Sequence, residues 1–204
     1  VPRTGAAGQT PDPGFFNVNS DVDSKNKSKL EAVSLKIDQD FDPLTVTSIT
    51  AYRNLRNTVL YDSDASPLRS VVGDFKGFHE TFTQEVQLKS PAGSRINWIL
   101  GGFYFHNKTG FDPQLVFIGA STVQTLDSAQ TSTSLAAFGQ ATMPLGDSTN
   151  ITAGLRYTWD KRRIEGETLT NGALTRSARD KDSWRKLTWR LSIDHRFSDE
   201  LMVY

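Results

Sequence analysis

"NITAGLRYTWDKRR", residues 150–163, decides the fold. Ile151, Ala153, Leu155, Tyr157 and Trp159 fall on one parity; Asn150, Thr152, Gly154, Arg156, Thr158 and Asp160 fall on the other. Successive side chains of a strand point to opposite faces, so this is a β-strand with one apolar and one polar face. The pattern recurs. "AVSLKIDQDF" sets Val33, Leu35, Ile37 and Phe41 against Ser34, Lys36, Asp38 and Asp40. "TFTQEVQLKS" sets Phe82, Val86 and Leu88 against Thr83, Glu85, Gln87 and Lys89. "WRKLTWRLSIDHRF" sets Leu187, Trp189, Leu191, Ile193 and Phe197 against Lys186, Arg190, Asp194 and Arg196. No stretch has a helical period.

The connections predict an order of short turn, long loop, short turn, long loop. Short ones fall at Asp42-Pro43 and at residues 90–95, 144–148 and 198–200. Long ones are expected over about residues 54–78, 107–131 and 163–183, and residues 1–29 read as loop. Phe41 should pair with Leu44 across the first turn. "LMVY" starts an eighth strand, so the chain is expected to be a fragment.

Composition narrows the chemistry. Lys+Arg and Asp+Glu are both 23, so the net charge is zero and nothing favours nucleic acid. There is no cysteine, which excludes disulfides, thiol catalysis and Cys-ligated metal. No apolar run approaches the ~18 residues of a membrane helix. A mean hydropathy of −0.43 fits a soluble protein, but also a transmembrane barrel, whose strands are half polar. P-loop, nucleophile-elbow and His-Glu-x-x-His patterns are absent, so no enzyme and no cofactor are expected.

The apolar parity meets either a protein core or lipid. Strands of ten or more residues exceed the ~5–6 typical of soluble proteins and match the ~9–11 that cross a membrane. Segregated loop lengths fit an outer-membrane barrel with short periplasmic turns. Tyr52, Phe103, Tyr104, Phe105, Tyr157, Trp159 and Trp184 lie beside the long loops, and Phe41, Trp98 and Phe197 beside the short turns, as in two interfacial girdles. Trp189 sits off that scheme, nearer mid-strand. The alternatives are a soluble sugar-binding β-sandwich and a passive porin-like channel.

The wording carries a resemblance. "LTVTSITAYRN", "FTQEVQLKSPAGSRINWILGGFYFHNKT", "SLAAFGQATMPLGDSTNITAGLRYTWDKR" and "WRLSIDHRFSDELMVY" resemble the barrel of TonB-dependent outer-membrane receptors, over residues 30–204. The resemblance implies an all-β, antiparallel up-and-down transmembrane barrel of ~22 strands. This chain would supply seven to eight of them, as a curved open sheet. It also implies active uptake of a siderophore or another scarce bulky nutrient, with a plug and TonB as partners. Plug and TonB-contacting segments are expected to lie outside this chain. Location in the bacterial outer membrane, beside lipid and lipopolysaccharide, follows from the same likeness.

Candidate ligand contacts lie on the polar parity: Arg156, Arg190 and Arg196, since guanidinium grips carboxylates in a bidentate fork. The blander role for these charges is to solvate the lumen and brace it against the plug. Pairing Leu88 with Asn97 across "SPAGSR" would set His79 opposite His106 at one rim. Two imidazoles fall short of the three or four ligands of a metal site, so no metal is expected. His195 reads as interfacial.

Overall fold

The computed structural model describes residues 20–63, 67 and 70–204. These form β1 (Lys25–Phe41), β2 (Leu44–Asp62), β3 (Val71–Lys89), β4 (Asn97–Ile118), β5 (Thr122–Leu145), β6 (Thr149–Thr170), β7 (Ala173–Ser198) and β8 (Leu201–Val203). All eight lie in one sheet in chain order, each antiparallel to the next. The sheet is open: β1 and β8 do not pair. The expected Phe41–Leu44 pairing is present. Among the described residues no second sheet packs on the first, which removes the β-sandwich alternative.

The long connections are corrected. β2 and β3 are joined by residues 63–70, β4 and β5 by 119–121, and β6 and β7 by 171–172 alone. Residues read as loop are strand, paired out to Ile118–Thr122 and Thr170–Ala173. β1 likewise begins at Lys25, inside the expected 1–29 loop, of which residues 1–19 lie outside the described residues. The reason is solvation. Where both faces of a hairpin meet water, neither needs apolar side chains, and the period-two signal fades. The turn chemistry was nonetheless in the sequence. Asn171 and Gly172 have φ of 51° and 81°, as a two-residue hairpin turn with both centres left-handed requires.

The two faces differ in chemistry and crowding. Cross-strand partners share a face, so the register sorts every residue. One face carries Leu35, Ile37, Val86, Leu88, Leu100, Leu135, Ile151, Leu155, Leu187, Trp189 and Leu191. The opposite face carries Lys36, Asp38, Glu85, Gln87, Arg156, Asp160, Lys186 and Arg190. The apolar face is the open one: Trp189 is 75% exposed, Leu191 61% and Leu155 59%. Thr47, Asn107, Ala136 and Thr152, all buried, lie on the polar face. Side chains crowd on the concave side of a bent sheet, so the polar face is the inward one. Among the described residues the only buried hydrophobics are Val72 and Ala136. A soluble fold of this length would bury a core; here the apolar surface is a contiguous outward band, of the kind that marks a membrane surface.

The aromatic residues of that band run obliquely. Tyr52, Phe82, His106, Thr133, Lys161 and Ser183 form one row of cross-strand partners. Tyr52 and Phe82 lie in it. Tyr104 and Trp159 lie two residues nearer the short turns, and Trp189 six residues nearer. The short-turn ends of the strands sink in parallel. Leu44 is eight residues from Tyr52, Thr149 twelve from Lys161, and Ser198 fifteen from Ser183. With ~3.3 Å per residue and ~4.8 Å between strands, both slopes are about 40°. That matches the ~35–45° at which strands tilt in closed barrels. Once the strands are tilted, Tyr52, Phe82, Tyr104 and Trp189 come within ~3 Å of one level, and Trp159 sits ~7 Å above it. Trp189, off the scheme when residues are counted along single strands, falls into line with the others.

Candidate functional site

The inward face carries two groups of interest. The first is at mid-height. The Arg156 guanidinium carbon lies 5.6 Å from the ring centroids of both Phe103 and Phe138. Its Nε donates to Thr158 Oγ1 at 3.2 Å. Among the described residues no carboxylate lies within ion-pair distance of this guanidinium, and two phenyl faces hold it through their quadrupoles. Glycine makes this possible. A Cβ on Gly101 would strike the Phe138 ring, so the bare backbone there lets the ring lie across it. Arg190 pairs with Gly154, and Arg156 with Thr188, which sets the two arginines diagonally on adjacent strands. Arg196 is six residues further along β7, beside the turn, where its backbone N–H donates to Ser148 O at 2.7 Å. The structure therefore brings two of the three candidate arginines together and leaves Arg196 apart.

Lower on the inward face, polar side chains bond to one another. Thr47 Oγ1 donates to Asp38 Oδ1 at 2.6 Å, and Lys36 Nζ lies 2.7 Å from Asp38 Oδ2. These are wall braces, in keeping with the bland reading of the charges.

The second group lies above the aromatic line. Leu55, Val59, Phe75, Phe111 and Ile164 line an inward cavity of about 500 Å3, with Asn57, His79, Thr109 and Gln130 among them. Tyr61 and Phe75 meet edge-on at 5.2 Å, and Phe75 and Phe111 at 5.9 Å. Gly73, opposite Tyr61, has no Cβ to obstruct that ring. Apolar walls with a few polar groups are the usual makeup of a small-molecule site. Sequence reading placed these residues in loops and so missed them. The readable signal was the interleaving of Phe75, Gly77 and Phe111 with polar residues on period two.

The histidine pair is corrected. β3 and β4 pair Leu88 with Leu100, not with Asn97, because residues 90–96 form a longer turn. An odd register shift flips side chains to the other face. His79 faces inward opposite Thr109; His106 faces outward opposite Phe82. His79 Nε2 is 2.8 Å from Thr81 Oγ1 and accepts from Asn107 Nδ2 at 3.0 Å, so that nitrogen is engaged within the sheet. His106 Nδ1 lies 3.2 Å from Thr133 Oγ1. His195 Nδ1 lies 2.7 Å from Thr149 Oγ1, and its ring meets Phe197 edge-on at 4.4 Å beside the short turn. Among the described residues no three acidic or histidine side chains cluster as metal ligands.

The family model described as "TonB dependent receptor-like, beta-barrel" matches residues 2–204. The chain belongs to this family. Among solved structures, the ferric yersiniabactin uptake receptor FyuA from Yersinia pestis is similar, with a TM-score of 0.74 at 15% identity. The match covers 87% of this chain and 27% of that one. This TonB-dependent receptor chain thus spans about a quarter of that receptor's length, and the likeness concerns the fold. No curated protein matches it by sequence.

Proposed function

We propose that this chain is part of the barrel wall of an active outer-membrane transporter for a siderophore or another scarce, bulky nutrient. Barrels of the family are outer-membrane proteins, and the outward apolar band gives this one a surface for lipid. In the whole receptor a plug fills the lumen, TonB supplies energy, and lipopolysaccharide surrounds the outer rim. The observation that carries the reading is the inward cavity above the aromatic line, walled by Phe75, Phe111, Leu55 and Ile164. It faces the vestibule that an incoming ligand enters, and its edge-on rings suit an aryl-bearing or otherwise largely apolar ligand. Arg156 and Arg190 lie deeper and offer two cations to a carboxylate of the ligand or of the plug.

The test uses the complete receptor. Ferric siderophores of the catecholate, phenolate and hydroxamate classes are titrated by tryptophan fluorescence, and uptake is followed in cells. Binding of one class with loss of at least tenfold affinity in Phe75→Ala and Phe111→Ala supports the reading. Unchanged affinity in both variants contradicts the cavity's role. Uptake that persists without TonB contradicts active transport and favours a passive channel.

A further inference from the structure

Above Arg53 the inward face carries no charged side chain across five strands. Its positions fall within residues 26–30 of β1, 55–61 of β2, 71–81 of β3, 107–118 of β4 and 122–134 of β5. They hold aliphatic and aromatic side chains, hydroxyls, amides and one histidine, His79. Asp112, in the bulge between Phe111 and Gln114, lies with Asp127 and Glu165, both outward. The outward face at the same height is densely charged, with Lys27, Lys29, Arg56, Glu80, Lys108 and Asp127.

Both faces stand in water at this height, so solvation does not explain the difference. Charged residues make up 23% of the chain, and a wet wall of this extent would ordinarily carry several. Inward charge resumes only on β6 and β7, at Asp160, Arg162, Asp180 and Asp182, to one side of the cavity. The cavity's own lining holds no Asp, Glu, Lys or Arg.

His79 supplies a donor within that neutral lining. Glu80 O is a carbonyl and only accepts, so its 3.1 Å contact fixes the Asn107 amide with Nδ2 as donor. The same Nδ2 lies 3.0 Å from His79 Nε2, and the Thr81 hydroxyl is 2.8 Å from it. With Nε2 accepting, the neutral ring carries its proton on Nδ1. Among the described residues Nδ1 has no hydrogen-bond partner, and the ring lines the cavity.

We propose that the receptor selects an electrically neutral ligand, which seats its apolar part against Phe75 and Phe111 and accepts a hydrogen bond from His79 Nδ1. An ion entering a cavity without a counter-charge loses hydration and gains no partner. A wall stripped of charge therefore rejects anions and cations alike, while its amides and hydroxyls still bond a neutral polar molecule. Arg156 and Arg190, deeper in the lumen, then answer a carboxylate of the plug. The inference deepens the reading above and rests on the cavity being the ligand site.

The experiment uses the complete receptor in phosphatidylcholine vesicles, labelled with 15N-histidine and observed by magic-angle-spinning NMR. The His79 signal is identified by its loss in His79→Gln. It should show a ring protonated at Nδ1; protonation at Nε2 overturns the proposal. Benzyl alcohol, benzoate and benzylammonium share one ring and differ in charge. Against free aqueous concentration, the alcohol should shift His79 half-maximally at about a tenth of the level either ion needs. Gln130→Lys should raise the ratio of benzoate to benzyl alcohol affinity about tenfold. Either ion binding wild type as tightly as the alcohol, or an unchanged ratio in Gln130→Lys, overturns neutral selection while the cavity stands as the site. No shift with any of the three probes overturns the cavity reading, and this inference with it.

Discussion

Arg156 shows how much a single position depends on its neighbours. Period two puts it on the polar face, and no more than that can be read from residues 150–163. Its partners come from β4 and β5, far apart in sequence, and the link is a glycine that frees space for a ring. Gly101→Ala should therefore displace Phe138 and destabilise the receptor by about 1–3 kcal/mol, the usual cost of an intruding methyl group. Urea unfolding in lipid vesicles measures this. In a double-mutant cycle, Phe138→Ala and Arg156→Gln should couple by about 0.5–1 kcal/mol, the worth of an accessible cation–π contact. Additive effects would mean that the ring and the guanidinium do not interact. His79 and His106 teach the converse lesson: a three-residue error in one turn reverses a face, so a proposed pair can vanish without any change in either residue.

The strands were legible where one face meets lipid, and illegible where both meet water. β6 was read from residue 150 to its aromatics because Ile151 to Trp159 alternate without a break. Its upper half, through Arg163, Glu165 and Glu167, carries charge on successive outward positions and resembles a loop. Asn171-Gly172 nonetheless closes it as a hairpin, and Asn171 joins the neighbouring hairpin by accepting from Val123 N at 2.8 Å. Gly172→Ala forces a side chain into the left-handed region, at a cost of about 1 kcal/mol. Hydrogen exchange should quicken near residues 165–178 in that variant while the lower strands stay protected. The slant of the girdle gives a second prediction for the strands. Trp159 and Trp189 differ by four residues across the β6–β7 register, a ~13 Å separation along the strands that a 40° tilt should cut to ~7 Å of depth. Brominated lipids should quench single-Trp variants at 159 and 189 with depth profiles offset by ~7 Å, Trp159 nearer the outer surface. Profiles separated by ~13 Å would mean that the strands stand upright.

For the whole molecule, the fold class was legible because barrel chemistry is written on every strand, while the site was not. The cavity above the aromatic line draws on β2 to β6, and only the register reveals that Leu55, Phe75, Phe111 and Ile164 share one face. The open edges of β1 and β7 carry unpaired backbone groups, which are costly in lipid, so the rest of a barrel must complete them. The central claim is that the exposed face of this sheet meets lipid and the polar face lines the lumen. Spin labels placed one at a time at residues 151–158 of the complete receptor in vesicles test it most directly. The account predicts that oxygen collides most with labels at 151, 153, 155 and 157, and a water-soluble nickel chelate with those at 152, 154, 156 and 158. High nickel accessibility at 153 and 155, or shielding of both from oxygen, would contradict it.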